Sequence, residues 1–465
     1  MRNKFFVASA SVLTVLTMLV TAFVIPAAGA SSAPVNQNDK ITTEVGPTTE
    51  LGGGDHFYIK FGSDATFGIL WGTKDNPNDV YFVSYISRYL GCINVDEPNG
   101  TVLAQKPLKI YTLYAVKLDR LIEYNNTSNG LLNYNPSGLI GELLTGQIYK
   151  GVNLNTAWTA SNWQNGTNTN GNLTWSFTLT ATNLSYNVPL RYRGDADGNG
   201  ILDSIAMTFH LTASTNFLDN ITVPQWNVTM NQGPLGNERF RDLQRGNDLT
   251  VSGNVTNYHV KWNKVIMGWD FNSRDTNPNL LAEYTIIVGN YIPPVVNGLM
   301  ALAEWQKVVG ATGDNGTMTA EGQNLNGSPS LSNAFLLHTP RLTFEGDRSR
   351  IGTFEWVKNV TVDGQTKNAT SQVTAIMPFN LRFGAKDFYG FTAIVAISYP
   401  RGQSIVQDPD ISSQAMTDLA ISTSGSGNSG SMPSSFPIGL VLIIVMVAAI
   451  AMAAMIILSR KRGVK

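Results

Sequence analysis

Two stretches decide the fold: Thr174-Trp175-Ser176-Phe177-Thr178-Leu179-Thr180 and Met207-Thr208-Phe209-His210-Leu211-Thr212-Ala213. In each, apolar side chains alternate with polar ones without a break, the period of two that sends one set to a dry face and the other to water. An amphipathic helix would need a period of 3.6, which neither stretch shows. Shorter runs of the same kind recur at 56–61, 80–86, 109–118, 258–267, 283–288, 372–379 and 391–399. Clusters of Asn, Gly and Pro separate them, the spacing of an antiparallel β-sandwich rather than of βαβ units. The expectation is a mainly β ectodomain, an antiparallel β-sandwich built as one large or two domains. One helix is expected over 298–309, where Leu299, Leu302, Ala303 and Trp305 share an apolar face. Two β-rich parts, 31–235 and 236–417, divide at a polar passage carrying Glu238, Arg239, Arg241, Asp242 and Arg245. In a single larger sandwich the same residues would serve as a charged loop.

The chain ends set the topology. Residues 438–458 are uncharged and followed by Ser459, Arg460, Lys461 and Arg462. At ~1.5 Å per residue this run is about 32 Å long as a helix, enough for a hydrocarbon core of roughly 30 Å. A transmembrane helix is therefore expected over 437–458, with the basic tail 459–465 cytoplasmic and all that precedes it outside. At the other end, Arg2 and Lys4 precede an apolar run that leads to Ala28-Gly29-Ala30. That order predicts a signal peptide over 1–30, with an uncleaved N-terminal anchor as the alternative. Residues 418–436, rich in Ser and Gly, read as a flexible linker.

Composition narrows the function. Charged residues are 14% of the chain and the net charge is −1, so no strong field exists to steer nucleic acid. A surface of uncharged polar groups loses little when carboxylates are protonated, which suits an acidic exterior. Cys92 is the only cysteine and reads as a small buried side chain. Sequons N-x-[ST] occur at Asn99, Asn125, Asn126, Asn165, Asn172, Asn183, Asn220, Asn227, Asn254, Asn315, Asn326, Asn359 and Asn368, the expected positions of N-linked glycans. With the two terminal segments, this density resembles an archaeal-type, S-layer-associated membrane-anchored surface glycoprotein. The resemblance is one of layout and implies a cell-surface position.

The most specific chemical motif is Asp195-Ala196-Asp197-Gly198-Asn199-Gly200-Ile201-Leu202-Asp203. Side-chain oxygens from Asp195, Asp197, Asn199 and Asp203, the carbonyl of Ile201 and a glycine at the sharp turn are what a Ca²⁺ ion requires. Position twelve is Ala206 rather than the Glu of an EF-hand, and alternating runs flank the loop. It is similar to the nine-residue calcium loops of integrin-type propeller blades, without any blade repeat here. A metal-free, Asx- and Gly-rich turn is the other reading. Bound Ca²⁺ would act structurally, converting repulsion among carboxylates into a closed turn.

No catalytic pattern accompanies it: HExxH, a nucleophile elbow and a P-loop are missing, and so is a dinucleotide fingerprint, the G-x-G-x-x-G spacing of Gly425, Gly427 and Gly430 falling in the Ser/Gly linker rather than between a strand and a helix. His56, His210, His259 and His338 are dispersed. The expected function is that of a single-pass surface glycoprotein with a calcium-stabilised ectodomain, structural or adhesive, its partners being the membrane, envelope proteins or surface glycans. Two alternatives stay open. One is a DOMON-like electron-transfer domain holding haem b through His and Met; the other is a glycan-binding or glycan-processing protein using Trp158 and Trp163 as a stacking platform.

Overall fold

The two alternating stretches meet as neighbours. The computed structural model describes residues 41–48, 53–61, 65–96, 102–125, 148–187, 200–223, 225–232, 238–272, 278–291, 317–320, 323–324, 341–346, 349–383 and 386–420. The helix expected over 298–309, the signal peptide 1–30, the membrane segment 437–458 and the tail 459–465 lie outside them. No helix among the described residues is long and apolar enough to cross a membrane.

All described elements are strands, in two sheets. The first sheet runs β1 (Ile41–Pro47), β2 (Asp55–Phe61), β3 (Ala65–Trp71), β4 (Val80–Asp96), β5 (Val102–Asn125), β14 (Pro278–Tyr291), β22 (Lys386–Tyr399), β21 (Thr370–Phe383). On it, β6 (Ile148–Asn153) pairs with β5, β11 (Gln225–Gln232) with β4, and β12 (Glu238–Arg245) with β11. The second sheet runs β16 (Gln323–Asn324), β15 (Thr317–Ala320), β17 (Arg341–Gly346), β18 (Ser349–Trp356), β24 (Pro409–Ala420), β13 (Leu249–Met267), β10 (Ile201–Val223), β9 (Leu173–Ser185), β7 (Thr159–Ala160). It also carries β8 (Gln164–Thr167) on β9, and β23 (Ser404–Gln407), β19 (Asn359–Val362) and β20 (Gln365–Asn368) beside β13. Pairing is antiparallel except for β11 on β4, which is parallel.

Every shorter run with a period of two falls inside one of these strands, in β2, β4, β5, β13, β14, β21 or β22. Phe177 stands opposite Phe209, Trp175 opposite Leu211 and Leu179 opposite Met207, all buried. The alternate residues face out, where the Thr178 and Thr208 hydroxyl oxygens lie 2.9 Å apart. Across the interior, Phe82 of the first sheet stacks on Trp262 of the second with ring centroids 4.5 Å apart, and Phe57 meets Phe177 at 5.4 Å. A single cluster of buried apolar residues runs from Phe57 to Ile411 and includes both sheets. The architecture is an all-β pair of packed sheets.

Strands from either side of residue 235 enter both sheets. The passage expected to separate two domains instead holds β12, between β11 and β13. Asp418 and Leu419, read as linker, pair with Asn254 and Gly253 as the end of β24.

One partly buried ion cluster sits on the first sheet. Lys117 Nζ lies 3.0 Å from Asp79 Oδ2 and 2.5 Å from Asp119 Oδ1, so two carboxylates share one ammonium. Burial pushes the Asp79 carboxyl up from 3.8 to about 6, against the pull of Lys117. Between those values the folded protein holds a proton that the unfolded chain has released. Stability from this group is therefore complete below about pH 4 and lost as pH rises through about 6. Asp79→Asn is expected to flatten this dependence, worth on the order of 3 kcal/mol at most. Denaturant unfolding between pH 4 and 7 checks it; a variant with the same slope as the parent would remove Asp79 as the cause.

Candidate calcium centre

The hairpin that carries the acidic loop is closed by its neck. Ser185 and Ile201 form the last rung between β9 and β10, and beyond it the Tyr186 N–H donates to the Gly200 carbonyl at 3.1 Å. Asn187 then exchanges two backbone hydrogen bonds with Gly151 of β6, at 2.7 and 3.1 Å. Asp195, Asp197 and Asn199 lie outside the described residues. Ile201 and Asp203 are described, as the first and third residues of β10. The expected metal loop thus joins two strands whose register is set by core side chains.

Gly200 has φ 71°, the left-handed conformation that a sharp turn asks of its glycine, and a Cβ there would meet nothing within 4 Å. Its requirement is conformational rather than steric. Asp203 is exposed and sits where the ladder steps from Leu202 opposite Leu184 to Ser204 opposite Thr182. Asn183, across from it, has φ 55°. Gly268 lies against Asp203: a Cβ on Gly268 would come within 2.0 Å of Asp203 Oδ2, and its φ of 74° also favours glycine. The Gly268 N–H donates to the Gln403 carbonyl at 2.9 Å.

Residues 268–272 continue from that contact into a buried polar node. Glu123 accepts from Trp269 Nε1–H at 3.0 Å and from the Asn272 N–H at 2.7 Å. The Asp270 N–H donates to the Tyr186 hydroxyl at 2.9 Å, while the Trp269 and Tyr186 rings meet edge to face at 5.0 Å. Lys150 is buried, donates to the Asp270 carbonyl, and holds its Nζ 3.5 Å from Asp270 Oδ2 and 3.7 Å from Glu123 Oε2. The same ammonium lies 4.2 Å from the Tyr186 ring centroid. Burial raises the Glu123 carboxyl and holds the Tyr186 phenol well above its usual range. The node ties β5 and β6 to the neck of the loop, so the base on which the loop stands is fixed by charge-assisted hydrogen bonds.

Sequence reasoning missed this base, because Glu123, Lys150, Tyr186 and Trp269 meet only through tertiary contacts. Among the described residues, no group of three or more His, Cys, Asp or Glu side chains is placed to hold a metal ion. A cation at this hairpin would draw on the side chains of Asp195, Asp197 and Asn199 together with Asp203. Of the other candidates, Trp158 is buried and donates to the Leu154 carbonyl at 3.3 Å, while Trp163 is 41% exposed with its edge against Phe57. His56 is buried, its Nε2 3.5 Å from Glu44 Oε1, and burial lowers its affinity for a proton. His210 and His259 lie exposed on the second sheet; Cys92 sits in β4, and His338 is outside the described residues.

Gly268→Ala is expected to lower stability by about 1–3 kcal/mol, since a side chain at this φ is strained and displaces Asp203. Melting curves with and without millimolar Ca²⁺ are the check. The variant should gain less from Ca²⁺ than the parent, and an equal gain would separate Asp203 from the cation. Comparison with protein families, curated proteins and solved structures finds no match.

Proposed function

We propose that this chain is a single-pass cell-surface glycoprotein whose β-sandwich ectodomain is stabilised by Ca²⁺ at the 195–203 loop and serves a structural or adhesive role in the cell envelope. The observation that carries the reading is the order of segments. An export signal, a β-rich body, a Ser/Gly linker and an uncharged 438–458 run with a basic tail follow one another. The folded body is consistent with it: part of the outer face of the second sheet carries neutral polar groups, beside the opposed charges of Lys261 and Asp410. Thr174, Thr212, His259 and Ser412 form one cross-strand row on the second sheet, next to Ser176 and His210. Such a face stays wet without carrying net charge.

The sequons divide by burial. Asn165, Asn183, Asn220, Asn359 and Asn368 are exposed, all on the second sheet, and Asn125, Asn172 and Asn227 are partly exposed. Asn254 is 2% exposed and has no room for a glycan in the folded state. Asn183 and Asn220 have φ of 55° and 61°, so their backbones break the strand surface where a sugar would leave it.

Glycopeptide mapping of native protein is expected to find glycans among the five exposed sites and none at Asn254. Unmodified asparagine throughout would remove the coat reading. Calorimetric titration of the chelated ectodomain is expected to detect one site of about 10⁻⁴ to 10⁻³ M, the range of extracellular calcium modules. At 1 mM such a site adds about 0.4 to 1.4 kcal/mol of stability. An absence of heat up to several millimolar would take calcium out of the proposal and leave the surface reading standing.

A further inference from the structure

With Cys92 as the only cysteine, no disulfide within the chain can staple its strands. A different pair of reactive groups meets in the core. Lys264 of β13 is 0% exposed, and opposite it in the ladder stands Gln407 of β23, 1% exposed. Residues directly opposite each other on antiparallel strands have Cβ atoms about 5 Å apart, within easy reach of a lysine stem. Lys264 Nζ donates to the hydroxyls of Tyr284 at 2.7 Å and Tyr399 at 2.8 Å. The Tyr399 O–H in turn donates to Gln407 Oε1. One phenol therefore bridges the amine and the carboxamide oxygen. Gln407 Nε2, also buried, has no hydrogen-bond partner among the described residues, so nothing retains it.

We propose that Lys264 and Gln407 are joined by an intramolecular isopeptide bond, formed when the Lys264 amine displaces ammonia from the Gln407 side-chain amide. No carboxylate among the described residues pairs with Lys264, and burial alone holds it well below the usual lysine range, which leaves a lone pair on nitrogen. Rotation of the lysine's terminal torsions carries Nζ from the phenol onto Gln407 Cδ. As the new C–N bond forms, the carbonyl oxygen gains charge, and the Tyr399 O–H is already aimed at it. Burial keeps the phenols of Tyr284 and Tyr399 protonated. A proton then passes from Nζ through the Tyr399 hydroxyl to Nε2, the bond from Cδ to Nε2 breaks, and ammonia leaves. Reactants and products balance without oxidant or cofactor: an amine and a primary amide give a secondary amide and ammonia. The product replaces a buried amine with a neutral amide and locks β23 to β13.

Peptide mapping of the folded full-length protein by mass spectrometry tests this. The expected product is a branched tryptic peptide containing Lys264 and Gln407, lighter than the sum of its two parts by one ammonia, about 17 Da, and uncut after Lys264. Tyr399→Phe preserves the ring but removes the donor to Oε1, and is expected to leave most of the protein unlinked. Full recovery of separate linear peptides from the parent protein, with cleavage after Lys264, would overturn the bond whatever the variants do. Complete linkage in Tyr399→Phe would overturn the role given to that phenol.

Discussion

The contact between Phe82 and Trp262, extended by Phe209 and Phe177, is the interaction on which the rest of the structure depends. It is where the inner faces of the two sheets meet. Burying each such ring contributes about 1.5–3 kcal/mol, and a favourable ring pair adds about 0.5–1.5 kcal/mol. Because side chains alternate with a period of two, this one contact fixes the facing of its whole strand. With Trp262 inward, Val260, Lys264 and Ile266 also point inward, and His259, Lys261 and Asn263 point to water. The buried amine of Lys264 is thus a consequence of register.

Register also explains the hairpin. Phe209 opposite Phe177 sets the pairing of β9 with β10, and counting back along the ladder brings Ile201 to Ser185 and places Asp203 at the distorted rung beside Asn183. Gly268, following the end of β13, reaches Asp203 because β13 pairs with β10 on the other side. Glu123 and Lys150 then hold residues 268–272 from the first sheet. Both charges are buried, where each alone would be strongly unfavourable; together with two N–H donors they compensate each other. The neck of the hairpin is held from both sheets.

Much of this was legible in the sequence, and the reasons are local. Alternation marked the strands because each side chain's environment is set by its own strand's facing; of the 195–203 motif, Gly200 has the left-handed φ its position asks for, while residues 195–199 lie outside the described residues. What was not legible depends on partners far apart in the chain. β5 pairs with β14, and β13 with β24, across long stretches of intervening sequence, so a polar passage such as 231–250 can look like a boundary while holding β12. A sequon is likewise a local pattern, but the burial of Asn254 is decided by what packs over β13. Glu123, Lys150 and Gly268 carry no local signature of their meeting.

The central claim is that strands from both halves of the chain share one core. Calorimetric unfolding of the chain ending at Ala420, beside a fragment ending at residue 235, tests it most directly. The account predicts one cooperative transition for the whole, with matching calorimetric and van't Hoff enthalpies, and no cooperative transition for the fragment, which lacks β13, β14 and β22. Two separable transitions in the whole, or a fragment that melts cooperatively by itself, would contradict it.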